Sequence, residues 1–409
     1  MASNLLAASL APIKLGYFTM SFDDITDRRG TKCAKWDAME ALYGVSPDDG
    51  IAMWVADMDF PAADHILAAG QDLLDHGVLG YQGDYSAYKN AICWWMENRH
   101  GWQVQPDEIF STFGLVNAVG LTLQAFTQPG DGIVLFTPVY HAFAKVINAS
   151  GRKVVECPLE QENGLYAMDF AAYDAQMTGE EKMVILCSPH NPGGRVWTQA
   201  ELSELAAFCQ RHDLLLVSDE IHHDLVFEGN KHLPMPVATP EIKDRLVMLT
   251  APSKTFNIAG NHLGNVIIQD PALHAKFTAT MNALAISSTV FGVAMTAAAY
   301  SPEGAAWLDG LLAYLERNRQ TFDAGINAIP GLKSMPLQST YLAWVDFTDT
   351  GMPPAEINAR TAKTAKIAAN LGATFGSGGE NFMRFNLGCP HSVVEDAIKR
   401  MQEAFGDLQ

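Results

Sequence analysis

The sequence predicts an α/β fold in which helices sandwich a mostly parallel β-sheet in a large domain, with a smaller α+β domain beside it. Three observations predict it. From Gly132 to Ile268, short β-branched runs alternate with helical patterns, as successive βαβ units require. After about Phe291 the pattern changes to long helices separated by isolated strands. At 409 residues the chain can bury a large core, and its length fits two domains better than one or three.

The runs that read as strands are Ile133–Phe136, Val154–Val155, Met183–Leu186, Leu214–Val217, Leu246–Leu249 and Val266–Ile268. Between two of them Thr198 and Glu201 form a capping-box pair, and Leu202, Leu205, Ala206 and Cys209 follow at i, i+3, i+4 and i+7. A crossover helix is therefore expected there. Later helices are expected at Ala305–Ile326 and Pro354–Leu371, with strands near Leu342–Phe347 and Phe382–Asn386. The expected partition gives residues 60–291 to the large domain and residues 20–59 with 292–409 to the small one. No internal repeat or low-complexity linker separates them, so a tight interface is expected. Residues 1–19 read as a disordered extension: only Lys14 is basic, and no charged region precedes the apolar run Leu5–Ile13, as a targeting peptide requires.

The net charge of -19 repels polyanions over most of the surface, so no nucleic-acid partner is expected and any anion site must be built locally. The cysteines Cys33, Cys93, Cys157, Cys187, Cys209 and Cys389 show no C-x-x-C pair, and no histidine cluster has zinc-ligand spacing. Reduced thiols in a cytoplasm and no metal are expected. No run of about 18 uninterrupted apolar residues is present to span a membrane.

Open α/β sheets bind ligands beyond the carboxyl ends of their strands, so the residues after each run are informative. They are Thr137-Pro138-Val139-Tyr140, Ser188-Pro189-His190-Asn191-Pro192, Ser218-Asp219-Glu220 and Ala251-Pro252-Ser253-Lys254. An aromatic ring, an amide, a carboxylate and an amine thus converge on one sheet edge. Those four groups suit a pyridinium aldehyde: the amine forms an imine, the carboxylate pairs with the protonated ring nitrogen, the amide meets the ring hydroxyl and the aromatic stacks. Each alone is ordinary, since Asn-Pro is a common turn and an aspartate a common helix cap. Their ordered joint occurrence carries the reading.

With these segments in place, the chain resembles the fold-type I, class I/II aminotransferase superfamily, whose members use pyridoxal 5′-phosphate (PLP). Within it the chain is similar to the MalY/PatB-like cystathionine β-lyase (C-S lyase) group, from roughly Ser21 to Phe405. The matching segments are Lys35-Trp36-Asp37, Met53-Trp54-Val55-Ala56-Asp57-Met58-Asp59-Phe60, Thr137-Pro138-Val139-Tyr140, Asn191-Pro192-Gly193-Gly194-Arg195-Val196-Trp197, Ser218-Asp219-Glu220-Ile221-His222, Ser253-Lys254-Thr255-Phe256-Asn257-Ile258-Ala259-Gly260 and Arg384-Phe385-Asn386-Leu387-Gly388-Cys389-Pro390. The resemblance implies a seven-stranded sheet in the large domain. It also implies Lys254 as Schiff-base lysine and proton shuttle, Asp219 on the pyridine nitrogen, Asn191 on the ring hydroxyl with His222 near it, and Tyr140 stacked on the ring and touching substrate. Arg384 matches the arginine that clamps an α-carboxylate, with Asp59 on the same substrate side. A planar fork suits that contact better than an ammonium, although an ion pair would also account for it.

For the phosphate, Gly114-Leu115-Val116 precedes an apolar helical run, so backbone amides at that helix start suit a dianion, unless the glycine serves only a tight turn. Ser253 is a second donor by family position. His262 stands where the superfamily often has an arginine, so the expectation is either a lower phosphate affinity or one partly dependent on histidine protonation. Tyr81 resembles a tyrosine that reaches the phosphate from a neighbouring subunit, which implies a homodimer. His391 stands where the group commonly has an arginine, so substrate preference is open.

The same residues build the carbanion common to transamination and β-elimination, and spacing does not choose between these fates. The resemblance favours a C-S β-lyase releasing pyruvate and ammonia from an L-cysteine thioether. The alternatives are an aminotransferase and a PLP-binding regulatory protein with little turnover, against which the intact set Lys254, Asp219, Asn191 and Arg384 argues.

Overall fold

Seven strands form the central sheet of the computed structural model, which describes residues 21–408; the extension expected at 1–19 lies outside the described residues. Their spatial order is Ile109–Thr112, Gly264–Ile267, Leu246–Thr250, Leu215–Asp219, Glu181–Cys187, Gly132–Thr137 and Lys153–Pro158. The last five run parallel, and Gly264–Ile267 is antiparallel to both of its neighbours. Every residue of Gly132–Thr137 and of Leu246–Thr250 is buried, because helices cover both faces. Such strands read as continuous apolar runs, which is why they stand out in the sequence. The edge strand Ile109–Thr112 did not stand out: four residues long, with Phe110 and Ser111 only partly buried, it carries little pattern.

Helix Gln199–Arg211 begins at the expected capping box. Thr198 Oγ1 accepts from the Glu201 amide at 3.3 Å, and Glu201 Oε2 accepts from the Thr198 amide at 2.7 Å. Its Leu202, Leu205, Ala206 and Cys209 are buried. One face of the sheet packs helices Leu115–Phe126, Ala142–Ala149 and Pro271–Ala283 through Val119, Phe143, Ile147 and Phe277. From the other face Val134, Phe136 and Leu186 join one apolar cluster with Leu311, Trp344 and Phe385 of the C-terminal part. The two parts therefore share a core instead of meeting at a wet seam.

The C-terminal part has its own antiparallel sheet, in the order Lys333–Ser334, Leu342–Asp346, Phe382–Asn386 and Asn370–Leu371, with helices Pro302–Asn327 and His391–Ala404 packed together beside it. The helix expected over Pro354–Leu371 needs correction. It runs only from Pro354 to Ala359, widens into a π turn at Arg360–Thr364, and breaks at Lys366, where φ is 54°. Ile367–Ala368 then pairs in parallel with Ile51–Ala52, and Asn370–Leu371 joins the sheet. The apolar residues at 362, 365 and 367–369 fit a helical stripe as readily as a buried strand, and tertiary pairing decides between them.

After Gly132–Thr137 the chain winds outward to Lys153–Pro158, whereas after Glu181–Cys187 it winds the other way, to Leu215–Asp219 and Leu246–Thr250. The reversal between Thr137 and Cys187 is the switch point at which open α/β sheets bind ligands. Among the described residues no helix is long and apolar enough to cross a membrane.

Candidate active site

Asp219 ends the strand next to this switch point, with Oδ1 accepting the Ile221 amide at 3.1 Å. Burial pushes its carboxyl up to about 7, and Glu220 beside it adds to the rise, while Lys254 and His223 oppose it. Lys254 lies in the turn after Leu246–Thr250, and its Nζ donates to the Ala56 carbonyl at 2.6 Å. Burial pulls this amine down to about 8, against the opposing pull of Asp57 and Asp219 and with help from Arg384. A buried acid and a buried amine thus have their usual values drawn towards each other by desolvation.

Arg384, in the middle of Phe382–Asn386, is 2 % exposed. It donates to Asn191 Oδ1 at 2.9 Å, to the Trp54 carbonyl at 2.8 Å and to Asn370 Oδ1 at 2.6 Å, with its guanidinium carbon 5.0 Å from the centre of the Phe375 ring. All three acceptors are neutral, and its Nε has no partner. Burial lowers its pKa to about 10, with Tyr140, Tyr43 and Tyr341 pulling the other way. His222 is buried with Nδ1 unpartnered, and burial together with the Lys254 and Arg384 charges holds it well below the usual histidine range. Tyr140 is half-buried, edge-on to Phe143 at 5.6 Å between ring centres, and burial raises its phenol.

Of the residues expected at a phosphate, Gly114 precedes helix Leu115–Phe126 with φ 80° and ψ 169°, and no side chain caps that helix. A β-carbon would be strained at that φ. The first-turn amides of an uncapped helix are free donors. Leu115 is buried and Val116 exposed. Ser253 Oγ makes only a long contact, 3.5 Å, to the Leu263 carbonyl. His262 is exposed with φ 47°, and Tyr81 is fully exposed.

Asp59, expected on the substrate side, is tied to three residues of the preceding stretch. Its Oδ2 accepts from Lys35 Nζ at 2.8 Å, and its Oδ1 from Arg28 at 2.9 Å and Trp36 Nε1 at 3.1 Å. Both of its oxygens are thus engaged within the protein and brace the segment, and the neighbouring Asp57 is the carboxylate felt by Lys254. The whole stretch from Trp54 to Phe60 is held in this way. Asn386 Nδ2 bonds the Val55 and Asp57 carbonyls, and Asn257 bonds the Met58 amide and the Met58 and Phe60 carbonyls. Tyr341, which the sequence did not single out, donates at 2.9 Å to the same Ala56 carbonyl that Lys254 uses. Asn370, also not anticipated, orients Arg384. Neither carries a local signal: the partner of Tyr341 lies far away in the chain, and Asn370 faces Arg384 only once their two strands pair.

The model of the aminotransferase class I and II family matches residues 49–401. The chain belongs to that family. It is 40 % identical over 388 residues to "Cystathionine beta-lyase PatB" of Bacillus subtilis, covering 94 % of this chain and all of that one. It is 32 % identical over 386 residues to "Protein MalY" of Escherichia coli, covering 92 % of this chain and 96 % of that one. The crystal structure of cystalysin from Treponema denticola, which contains pyridoxal 5′-phosphate, superposes with a TM-score of 0.91 at 34 % identity, covering 96 % of this chain and 100 % of that one. The PLP-bound C-S lyase of Staphylococcus hominis superposes at 0.86 with 28 % identity, covering 95 % and 99 %. The expected fold class, sheet and family group agree with these matches.

Proposed function

We propose that this protein is a PLP-dependent C-S β-lyase that eliminates a thiol from an L-cysteine thioether, leaving pyruvate and ammonia. The observation that carries the reading is the buried guanidinium of Arg384, with neutral acceptors and a free Nε, in one site with the buried Lys254 amine and the buried Asp219 carboxyl. An amino-acid carboxylate supplies the charge that such a guanidinium lacks. Similarity to PatB and to cystalysin supports the lyase reaction.

The residues suit the cofactor. Asp219 would face the ring nitrogen, and Tyr140 the ring. Arg384 bonds Asn191 Oδ1, which leaves the amide nitrogen of Asn191 to donate, and that nitrogen would serve the ring hydroxyl, with His222 as neutral neighbour. The amides of Gly114–Val116, with Ser253 and His262, would hold the phosphate. PLP, when bound, draws electrons from the substrate α-carbon.

The chain's own part is positioning and proton transfer. Arg384 grips the α-carboxylate and sets the Cα–H direction. Lys254 Nζ, with a pKa drawn near neutrality, takes the α-proton, and the Ala56 carbonyl steadies the amine as it carries the charge. Asp219 keeps the proton on the ring nitrogen. Tyr81, standing fully exposed beside exposed Leu74, Val78 and Leu79, supports a homodimer in which this surface meets the partner's site. Cytoplasmic location rests on six free cysteines.

The deciding experiment incubates the PLP-loaded protein with L-cystathionine and no keto acid. Pyruvate and ammonia in equal amounts support the lyase. Turnover that requires a keto acid makes it an aminotransferase, and none with any thioether makes it a PLP-binding protein.

A further inference from the structure

Apart from the cofactor site, a buried cluster joins the C-terminus of helix Ser86–His100 to the stretch after Asp219. His100 Nε2 is 2.8 Å from Asp224 Oδ1, and His223 Nε2 is 3.1 Å from Asp224 Oδ2. The imidazole centres are 4.4 Å apart, and one ligand atom from each of the three residues lies within 4.8 Å of the other two. His223 and Asp224 are buried, and the His100 side chain is nearly so, at 7 % exposure. Trp95 Nε1 donates to Asp224 Oδ1 at 2.9 Å and Thr255 Oγ1 to Oδ2 at 2.8 Å. The carboxylate is thus held by outer donors, as metal-ligating carboxylates are.

One atom in this cluster is left over. His223 Nε2 meets Asp224 Oδ2 at 3.1 Å as an ion-pair contact, without the alignment of a full hydrogen bond. Buried polar atoms are rarely left so, and each one calls for a cause. His232 does not supply it, since its Nε2 is paired with Glu220 Oε2 at 2.8 Å and its ring centre is 6.4 Å from that of His223.

We propose that His100, His223 and Asp224 form a binding site for one divalent transition metal of the zinc class. Two imidazoles and a carboxylate are a donor set this class takes, at about 2.0–2.2 Å per ligand, with water completing the shell. Calcium and magnesium, which prefer oxygen ligands, are disfavoured by the two nitrogens. A cation among the three groups gives His223 Nε2 its partner. His100 exchanges its hydrogen bond to Asp224 for a metal bond, and Asp224 keeps Trp95 and Thr255. Ligands at positions 100, 223 and 224 fit no short zinc motif, which is why none is visible in the sequence. The metal ties helix Ser86–His100 to the segment that bears Asp219 and, through Thr255, to the turn that bears Lys254. Its role is structural.

The test uses PLP-loaded protein treated with a chelator, exchanged into metal-free buffer, and given Zn²⁺ or Co²⁺. The expected result is about one zinc per chain retained through gel filtration, visible ligand-field absorption with cobalt, and a raised melting temperature. His100→Ala and His223→Ala, shown to be folded by their cofactor absorption, should lose the metal; His223→Gln replaces the alanine variant if that one does not fold. Lys254→Ala should keep the metal, because the cofactor site is not involved. Wild-type protein that retains no zinc overturns the proposal, and so does equal retention by the folded histidine variants.

Discussion

Replacing Arg384 with lysine keeps one positive charge and removes the fork. Arginine here holds Asn191, the Trp54 carbonyl and Asn370 at 2.9, 2.8 and 2.6 Å with NH1 and NH2, and its Nε is still free. A lysine has one nitrogen, which cannot serve those three acceptors and also grip a carboxylate on two sides. Losing one charge-assisted hydrogen bond to substrate is worth about 1.5–3 kcal/mol, or roughly 10- to 100-fold in kcat/KM. The α-carboxylate contact exists before and during proton abstraction, so most of the loss should fall on KM; a smaller loss in kcat should follow from the slackened Asn191. The assay follows pyruvate from a thioether substrate over a range of concentrations, with the visible cofactor absorption checked first to confirm folding. A folded, PLP-loaded variant with kcat/KM within about twofold of wild type would refute the carboxylate clamp and leave Arg384 a structural cation.

The remaining predictions concern the lysine, its supporting segment and the assembly. Burial brings the Lys254 amine down to about 8, and only the neutral form condenses with an aldehyde. PLP uptake by cofactor-stripped protein should therefore quicken as pH rises from 6 towards 8 and level off above; a rate independent of pH over that range contradicts the assignment. Asn257→Ala removes three hydrogen bonds to Met58 and Phe60 and puts alanine at φ 55°. It should lower stability to urea by about 2–4 kcal/mol, at roughly 1 kcal/mol per bond plus backbone strain, and a midpoint equal to wild type would show that the segment is not held there. If Tyr81 serves the partner's phosphate site, Lys254→Ala and Tyr81→Ala chains refolded together should recover about a quarter of wild-type activity, by random pairing in a two-fold dimer. No recovery in verified heterodimers would return Tyr81 to its own subunit.

The residues most readable in the sequence are those that end buried parallel strands. Thr137, Cys187, Asp219 and Thr250 each close an apolar run, so Tyr140, Asn191, Asp219 and Lys254 can be placed on one edge without knowing the fold. Arg384 is legible by resemblance, and its environment is not, because Trp54 meets it with a main-chain carbonyl that no residue type announces. For Asp59 the partners, not the residue, are what the sequence hides. Its segment is distinctive, but only folding reveals that Arg28, Lys35 and Trp36 converge on its carboxylate. The stretch from Arg360 to Leu371 misread because apolar residues there satisfy a helix and a buried strand alike, and the pairing with Ile51–Ala52 is long-range. The cluster of His100, His223 and Asp224 is hidden for the same reason, since His100 meets the other two only through long-range packing.

The measurement that bears most directly on the account is product stoichiometry from one PLP-loaded sample supplied with L-cystathionine and no keto acid. Thiol, pyruvate and ammonia should appear in equal amounts over many turnovers, and Lys254→Ala protein that still binds PLP should release none of them. Thiol release that persists without Lys254, or product formation only when a keto acid is added, would contradict β-elimination driven by this lysine.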